Sequence, residues 1–222
     1  MSSSQNQNNK ELSPGMLQAL TELFEQLKAI LAEINQEAEQ QKPSVLTNKI
    51  LLELVCHEGI VLEAYKDSKG IWTWGVGVTN KSGHGVLRYK DRPQSLKRVI
   101  EIYKWLLEAK YLPDVLEAFS GRDLTEEQLA AALSFHYNTG AIEKASWVKS
   151  FMLGNPDKAY VEIMNWRSPP EIIPRRKAER DLFFKGEWSN DGMATVYTKV
   201  RKPSYTPVWK SAERIDISKE LE

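Results

Sequence analysis

The apolar positions of this chain change period along its length, and those changes mark out its elements. From Pro14 onward, Leu17, Leu20, Phe24, Leu27, Leu31 and Ile34 recur at alternating spacings of three and four, which predicts a helix with one apolar stripe. Glu37–Gln41 and Pro43 predict its end, and the Ser-, Gln- and Asn-rich start over the first dozen residues predicts disorder. The stripe spans too few heptads to specify a coiled coil by itself. It suits docking on the chain's own domain, self-association, or a partner helix. A second helix follows, with Ile50, Leu51, Leu54 and Val55 on one face and a stop near His57–Glu58–Gly59. Tyr65–Lys66 leads into Asp67–Ser68–Lys69–Gly70, a turn composition. Ile71 to Thr79 is β-branched, aromatic and glycine-spaced, so a short strand-rich segment is predicted there.

After Gly83–His84–Gly85 the helical period returns. Leu96, Val99, Ile100, Tyr103, Leu106 and Leu107 predict a long helix ahead of Pro113. Thr125 to Gln128 reads as a capping box that opens a helix over Leu129 to Tyr137. Asn155–Pro156 places a cap and a first-turn proline before Ala159 to Trp166, and Pro174 precedes a helix from Arg175 to Lys185. The stretch from Trp188 to Ile217 is aromatic, basic and proline-containing, and its pattern assigns no element. No internal repeat is visible. The sum is an α+β fold that is mostly helical. A small antiparallel β-lobe at about residues 60–80 is joined by a long helix near 94–110 to a helical lobe. The expected organisation is an N-terminal extension over 1–43, a core domain over 44–188 and a C-terminal extension over 189–222.

Composition narrows the function classes. Of 222 residues, 41% are hydrophobic and 27% charged, enough apolar content for a buried core. Thirty Lys and Arg balance thirty Asp and Glu, so a strongly basic nucleic-acid binder is disfavoured. Residues 1–43 carry a balance of −3, residues 44–222 one of +3, and the stretch 174–210 one of +5. Cys56 is the single cysteine, which excludes an internal disulfide and a cysteine-built metal cage. No apolar run reaches the roughly 18 to 20 residues of a membrane span, and Met1 to Asn9 lacks the apolar core of a signal peptide.

Candidate chemistry centres on Glu58. A carboxyl group at a helix C-terminus faces the negative end of the macrodipole, which disfavours its charge. Val55, Ile60 and Val61 add desolvation in the same direction. Such a group makes a general acid near neutral pH. Nine residues on, Asp67 sits in a polar turn where it stays ionised, and six further on Thr73 offers a hydroxyl from the next strand. An acid, a carboxylate and a hydroxyl that holds water are the parts of glycoside hydrolysis. Taken singly, a Glu or Asp in this chain is far more often a solvated surface charge, roughly nine times in ten.

The stretch His57–Glu58–Gly59, Tyr65–Lys66–Asp67 and Gly70–Ile71–Trp72–Thr73–Trp74–Gly75–Val76–Gly77 resembles the signature of phage-type lysozymes, glycoside hydrolase family 24. In that family a Glu, eight residues, an Asp or Cys, five residues and a Thr form the catalytic set, and Glu58, Asp67 and Thr73 match at both spacings. The resemblance continues through Leu124–Thr125 and Ser134 to Gly140, similar to a helix ending in an F-N-x-G box. It reaches Pro174 to Arg180, similar to a late arginine-rich helix. It covers about residues 47 to 188 and looks closest to endolysins of alpha-proteobacterial phages or gene-transfer particles. Val78 departs from the His that many relatives place after the G-x-G strand, and neither His84 nor His136 replaces it by spacing. His136 reads as a packed helix-face residue.

The resemblance implies a lysozyme-like two-lobed domain that cuts the β-1,4 bond between N-acetylmuramic acid and N-acetylglucosamine in peptidoglycan, lysing the cell wall. Glu58 would be the acid, with Asp67 and Thr73 activating water. Asn138 would face the cleft and Arg176 lie near the acid, as substrate-binding residues. Trp72 or Trp74 would stack on sugar rings, and the basic stretch would draw in an anionic wall. The resemblance implies no cofactor and no metal. Peptidoglycan is the expected partner, with no nucleic acid, and residues 14–41 are open to self-association or a partner protein. Such a protein is made in the host cytoplasm and acts on the wall in the periplasm, by an exit route not encoded as a signal peptide. The alternatives are a lytic transglycosylase, which needs only the Glu, and a non-catalytic phage structural module that binds the wall.

Overall fold

A computed structural model describes residues 13–41 and 45–221, with side chains from 33 to 41 excluded. The expected disordered start, the stop at Pro43 and the placement of the Ile34 side chain lie outside the described residues. The chain divides into two compact units, 1–45 and 46–222. The first holds α1 (Pro14–Gln41), the helix that the three-to-four period predicts. Its Leu17, Leu20, Phe24, Leu27 and Leu31 are all exposed, as are Met16, Leu23 and Ile30. No described helix is long and apolar enough to cross a membrane.

The second unit opens with α2 (Asn48–Cys56), capped by the Thr47 hydroxyl, which accepts from the Ile50 amide at 3.2 Å. Its apolar face, Ile50, Leu51, Leu54 and Val55, is fully buried. Three antiparallel strands follow: β1 (Gly59–Lys66), β2 (Trp72–Gly75) and β3 (Val78–Thr79). They form the expected β-lobe. Gly75 and Gly77 both take positive φ, and a side chain at Gly75 would meet Val99 at 3.0 Å.

The long connecting helix is broken. α3 (Leu96–Leu106) passes through a π turn at Leu107–Tyr111 into α4 (Leu112–Ala118). Pro113 lies in the first turn of α4. It has no N–H for the preceding turn and its ring crowds the carbonyl there, so the helix re-registers instead of running through.

α5 (Glu126–Thr139) is the centre of the helical lobe. Both reciprocal bonds of its predicted capping box are present, and Leu129 to His136 are buried without interruption. A helix buried on all sides needs neighbours all round. α6 (Ser146–Met152), α7 (Pro156–Glu162) and α8 (Ile173–Lys185) belong to that lobe, with α8 packed on α5. Asn155 precedes α7 but caps it with no side-chain bond. His136 is packed as expected, with Nε2 3.0 Å from Asp114 and Nδ1 accepting from the Ile142 amide at 3.4 Å.

The stretch after Trp188, to which the pattern assigned no element, folds into strands, of which two extend the main sheet and two form a separate pair. It contributes β4 (Met193–Tyr197), β5 (Val200–Arg201), β6 (Thr206–Pro207), β7 (Ala212–Asp216) and a last turn, α9 (Ser218–Leu221). The main sheet has order β3-β2-β1-β4-β7, and β1 pairs with β4 in parallel through Gly59–Thr195, Ile60–Val196 and Val61–Tyr197. Residues 60–80 thus pair antiparallel as expected, and β4 adds a parallel neighbour that makes the full sheet mixed. A strand that returns after a whole helical lobe is free of the hairpin turn that enforces antiparallel pairing. Glu53, nearly fully buried on α2, latches this segment by accepting from Ser189 and Asn190 backbone and side chains at 2.6 to 3.3 Å.

Candidate active site

Glu58 lies between α2 and β1, and its amide donates to the Val55 carbonyl at 3.0 Å, closing the helix end. Asp67 lies just past the other end of β1, in a tight turn. Its Oδ1 accepts from the Lys69 and Ile71 amides, each at 2.8 Å, and Gly70 supplies the left-handed residue with φ +75°. Fully straight, an eight-residue strand would hold its ends roughly 26 Å apart. β1 is not straight: its register against β2 shifts between Val61 and Tyr65, and such a bulge bends a strand. Tyr65, beyond that shift, lines the cavity that Glu58 lines. Burial, then the charges of Glu58 and Asp67, push its phenol well above the usual range, so both carboxylates act on one ring. Thr73 is the cross-strand partner of Tyr65, buried, with Oγ1 donating to the Ile71 carbonyl at 3.1 Å. Tyr65 thus has Thr73 across the strand and Asp67 two residues on, and shares a cavity with Glu58.

The environment of Glu58 differs from the apolar one expected. Arg175 Nη1 donates to Glu58 Oε1, while its Nε donates to Glu179 Oε1 at 2.9 Å and its Nη2 to the Ser134 carbonyl at 3.0 Å. Burial opposes the Arg175 charge, but the Glu58 and Glu179 carboxylates outweigh it and hold the guanidinium firmly protonated. Glu179 also takes Ser134 Oγ at 2.7 Å and Arg176 Nη1. Two guanidinium groups and two carboxylates balance one another in this cluster, which a buried charge requires.

The arginine at the acid is therefore Arg175, not Arg176. Successive helix residues point about 100° apart, so only one of the pair on α8 can face Glu58. Arg176 is fully buried against the Phe135 ring, donates to the Trp166 carbonyl at 3.0 Å and to Asn138 Oδ1 at 2.7 Å. Arg176 and Asn138 line a larger cavity of about 560 Å³ with Trp166, Pro169 and Glu171, which shares no lining residue with the Glu58 cavity. Arg175 lay in the same sequence stretch, and only the helix phase distinguishes it. Trp74 is core, stacked on Tyr89 at 3.9 Å and bonded to the Leu62 carbonyl, and so is closed to a ligand. Trp72 is half-buried against Tyr205.

Among the described residues, Glu53, Cys56 and His57 bring possible metal-ligating atoms within 4.8 Å of one another. Their chemistry is already committed. Both Glu53 oxygens accept from Ser189 and Asn190, and burial pushes the Cys56 thiol up to about 12, away from the thiolate a metal needs.

The family model for phage lysozyme matches residues 55–179, which takes in Glu58, Asp67, Thr73 and the Arg175–Glu179 cluster and ends before β4. The endolysin of Salmonella phage P22 is 30% identical over 133 residues, 57% of this chain and 88% of that one. The endolysin of Acyrthosiphon pisum secondary endosymbiont phage 1 is 27% identical over 151 residues, 62% of this chain and 97% of the relative. An endolysin of Bacillus phage B103 is 30% identical over 106 residues, a match that spans only 40% of its length. Of solved structures, a P22 lysozyme mutant aligns with TM-score 0.53 at 27% identity, over 63% of this chain and 97% of that one. The endolysin from Escherichia coli O157:H7 phage FAHEc1 aligns at TM-score 0.55 and 22% identity, over 65% and 96%, and shares the fold. The matched stretch covers more than half of the sequence and holds every residue of the Glu58 cluster: the chain belongs to the phage lysozyme family.

Proposed function

We propose that this protein lyses bacterial cell walls by hydrolysing the β-1,4 bond between N-acetylmuramic acid and N-acetylglucosamine in peptidoglycan. The observation that carries this reading is that Glu58 shares a cavity with Tyr65, whose cross-strand partner is Thr73 and which lies two residues before the Asp67 turn. Family membership and the endolysin relatives support it. Glu58 protonates the departing glycosidic oxygen. Arg175 keeps Glu179 as a second carboxylate partner, so Glu58 can take up that proton without stranding a buried guanidinium. Asp67 commits Oδ1 to its turn, which leaves Oδ2 to draw a proton from water. Thr73 gives its own proton to the Ile71 carbonyl, so its lone pairs accept from the same water. Attack from the face opposite the acid inverts the anomeric centre. Asn138 and Arg176 contribute an exposed amide and its support on a neighbouring surface.

Digestion of purified peptidoglycan tests this. The expected products carry reducing N-acetylmuramic acid ends, released first as the α anomer. Ends of 1,6-anhydro-muramic acid would assign the protein to the transglycosylases instead, and wall binding with no new ends would make it a non-catalytic module.

A further inference from the structure

The segment beyond the matched family stretch builds one wall of the Glu58 cavity. Tyr197, Pro207 and Trp209 line it together with Glu58, Gly59, Val61, Tyr65 and Gly77. This closeness is built into the sheet. Tyr197 is the parallel partner of Val61, and its ring occupies the space that a side chain at Gly59 would take, with Cε2 2.8 Å from that position. Any larger residue beside the acid would push the wall away. Tyr197 in turn holds Trp209 edge-on, with ring centroids 5.3 Å apart and planes at 87°.

Trp209 is 66% exposed, although it lies on a well-anchored turn. The Val208 amide donates to the Lys199 carbonyl at 2.9 Å, and the Ser211 amide and hydroxyl both donate to the Val208 carbonyl at 2.8 Å. The other exposed large apolar residues of this unit, such as Leu153 and Val161, line no cavity that contains a carboxylate of the site. An indole fixed in water at the mouth of an acid's cavity is a ready platform for a ligand with an apolar face and a polar rim. Its rigidity limits the entropy lost on binding.

We propose that Trp209, held by Tyr197, is a sugar-stacking position: it binds the flat face of one N-acetylated hexose ring of the glycan strand where that strand enters the Glu58 cavity. The inference rests on the lysozyme reading for its choice of ligand. It extends the substrate surface onto a segment outside the family core, so that these C-terminal strands serve binding as well as folding.

The test measures binding apart from cleavage, by titrating a peptide-free N-acetylglucosamine hexamer into the Glu58→Gln protein. Adding Trp209→Ala should weaken affinity about fivefold to tenfold, the range for truncating an aromatic anchor. Trp209→Phe should recover most of it, and Trp209→Leu, apolar without a π face, should not. Affinity within twofold of the parent for Trp209→Ala overturns the proposal, as does retention by Trp209→Leu. Loss of affinity for intact peptidoglycan alone, with the hexamer unaffected, also overturns it and points to the stem peptide. The leucine variant keeps the test decisive should the alanine variant fold poorly. If the wild type cuts no peptidoglycan while the hexamer still binds through Trp209, the hydrolase reading fails and this one stands.

Discussion

Arg175 Nη1 donates to Glu58 Oε1 across 117 residues of chain, joining α8 of the helical lobe to the start of β1. The same guanidinium holds Glu179 and Ser134, both buried, so it ties Glu58 to a buried polar cluster of the helical lobe.

Replacing Arg175 therefore tests structure and activity together. Arg175→Ala leaves Glu179 and Glu58 short of a cation and should destabilise the fold by about 3–5 kcal/mol. Arg175→Lys keeps the charge but cannot reach three partners from one planar fork, and should melt between the two. Thermal melting of both variants beside the wild type orders them; an alanine variant as stable as the lysine one contradicts this account.

Glu58→Gln keeps the shape and removes the transferable proton. General acid catalysis contributes about 10²–10⁴-fold, and the cleavage rate should fall by at least that factor. Apolar surroundings would have let the amide gain stability. The Arg175 contact reverses this, because glutamine offers the guanidinium no charge, and a loss of about 1 kcal/mol is expected. Rates near wild type in a folded Glu58→Gln protein would remove Glu58 from the role of acid.

Asp67 separates chemistry from turn geometry. Asp67→Asn retains an oxygen for the Lys69 and Ile71 amides, and should melt like the wild type while losing most activity. Asp67→Cys surrenders both bonds, about 1–2 kcal/mol. It should keep part of the activity, since the resemblance sets a Cys at this position in some relatives. Thr73→Ala removes one bond to water and should slow cleavage less than either, by a factor equivalent to about 0.5–1.5 kcal/mol. Rates and melting curves for the three variants give the ranking.

Glu53 sets the acid limb of stability. Burial favours its neutral form, but bonds from His57, Ser189 and Asn190 outweigh it and hold the carboxyl at about 2, against 4.5 for the free side chain. A group whose folded value is depressed contributes fully above its unfolded value and loses that contribution as pH falls through the folded one. Between pH about 4.5 and 2 the latch should therefore forfeit about 3 kcal/mol. Glu53→Gln should be less stable at pH 7 and show a flatter decline with acid, as followed by melting temperature against pH. Parallel curves for the two proteins would place the acid sensitivity elsewhere.

Every buried hydrophobic residue of the described chain lies at Leu46 or later. A chain beginning at residue 46 should fold and cleave purified peptidoglycan at the full-length rate. A folded truncation without turnover would show that residues 1–45 serve the chemistry.

The sequence alone determined the elements whose signals are local. The three-to-four stripe of α1, the capping box of α5 and the turn at Asp67 depend on neighbours within four residues, and each is where the pattern puts it. The set Glu58, Asp67 and Thr73 was legible only through the resemblance to phage-type lysozymes, since each residue type alone is common on a surface; one bent hairpin carries all three. Only the tertiary structure decided the rest. Which arginine meets Glu58 depends on the phase of α8 against a partner 117 residues away. The strands after Trp188 have no periodicity of their own; they form because β1 offers an unpaired edge and Glu53 a buried carboxylate that needs donors. Contacts of this kind are properties of two distant segments at once, so neither segment read by itself contains them.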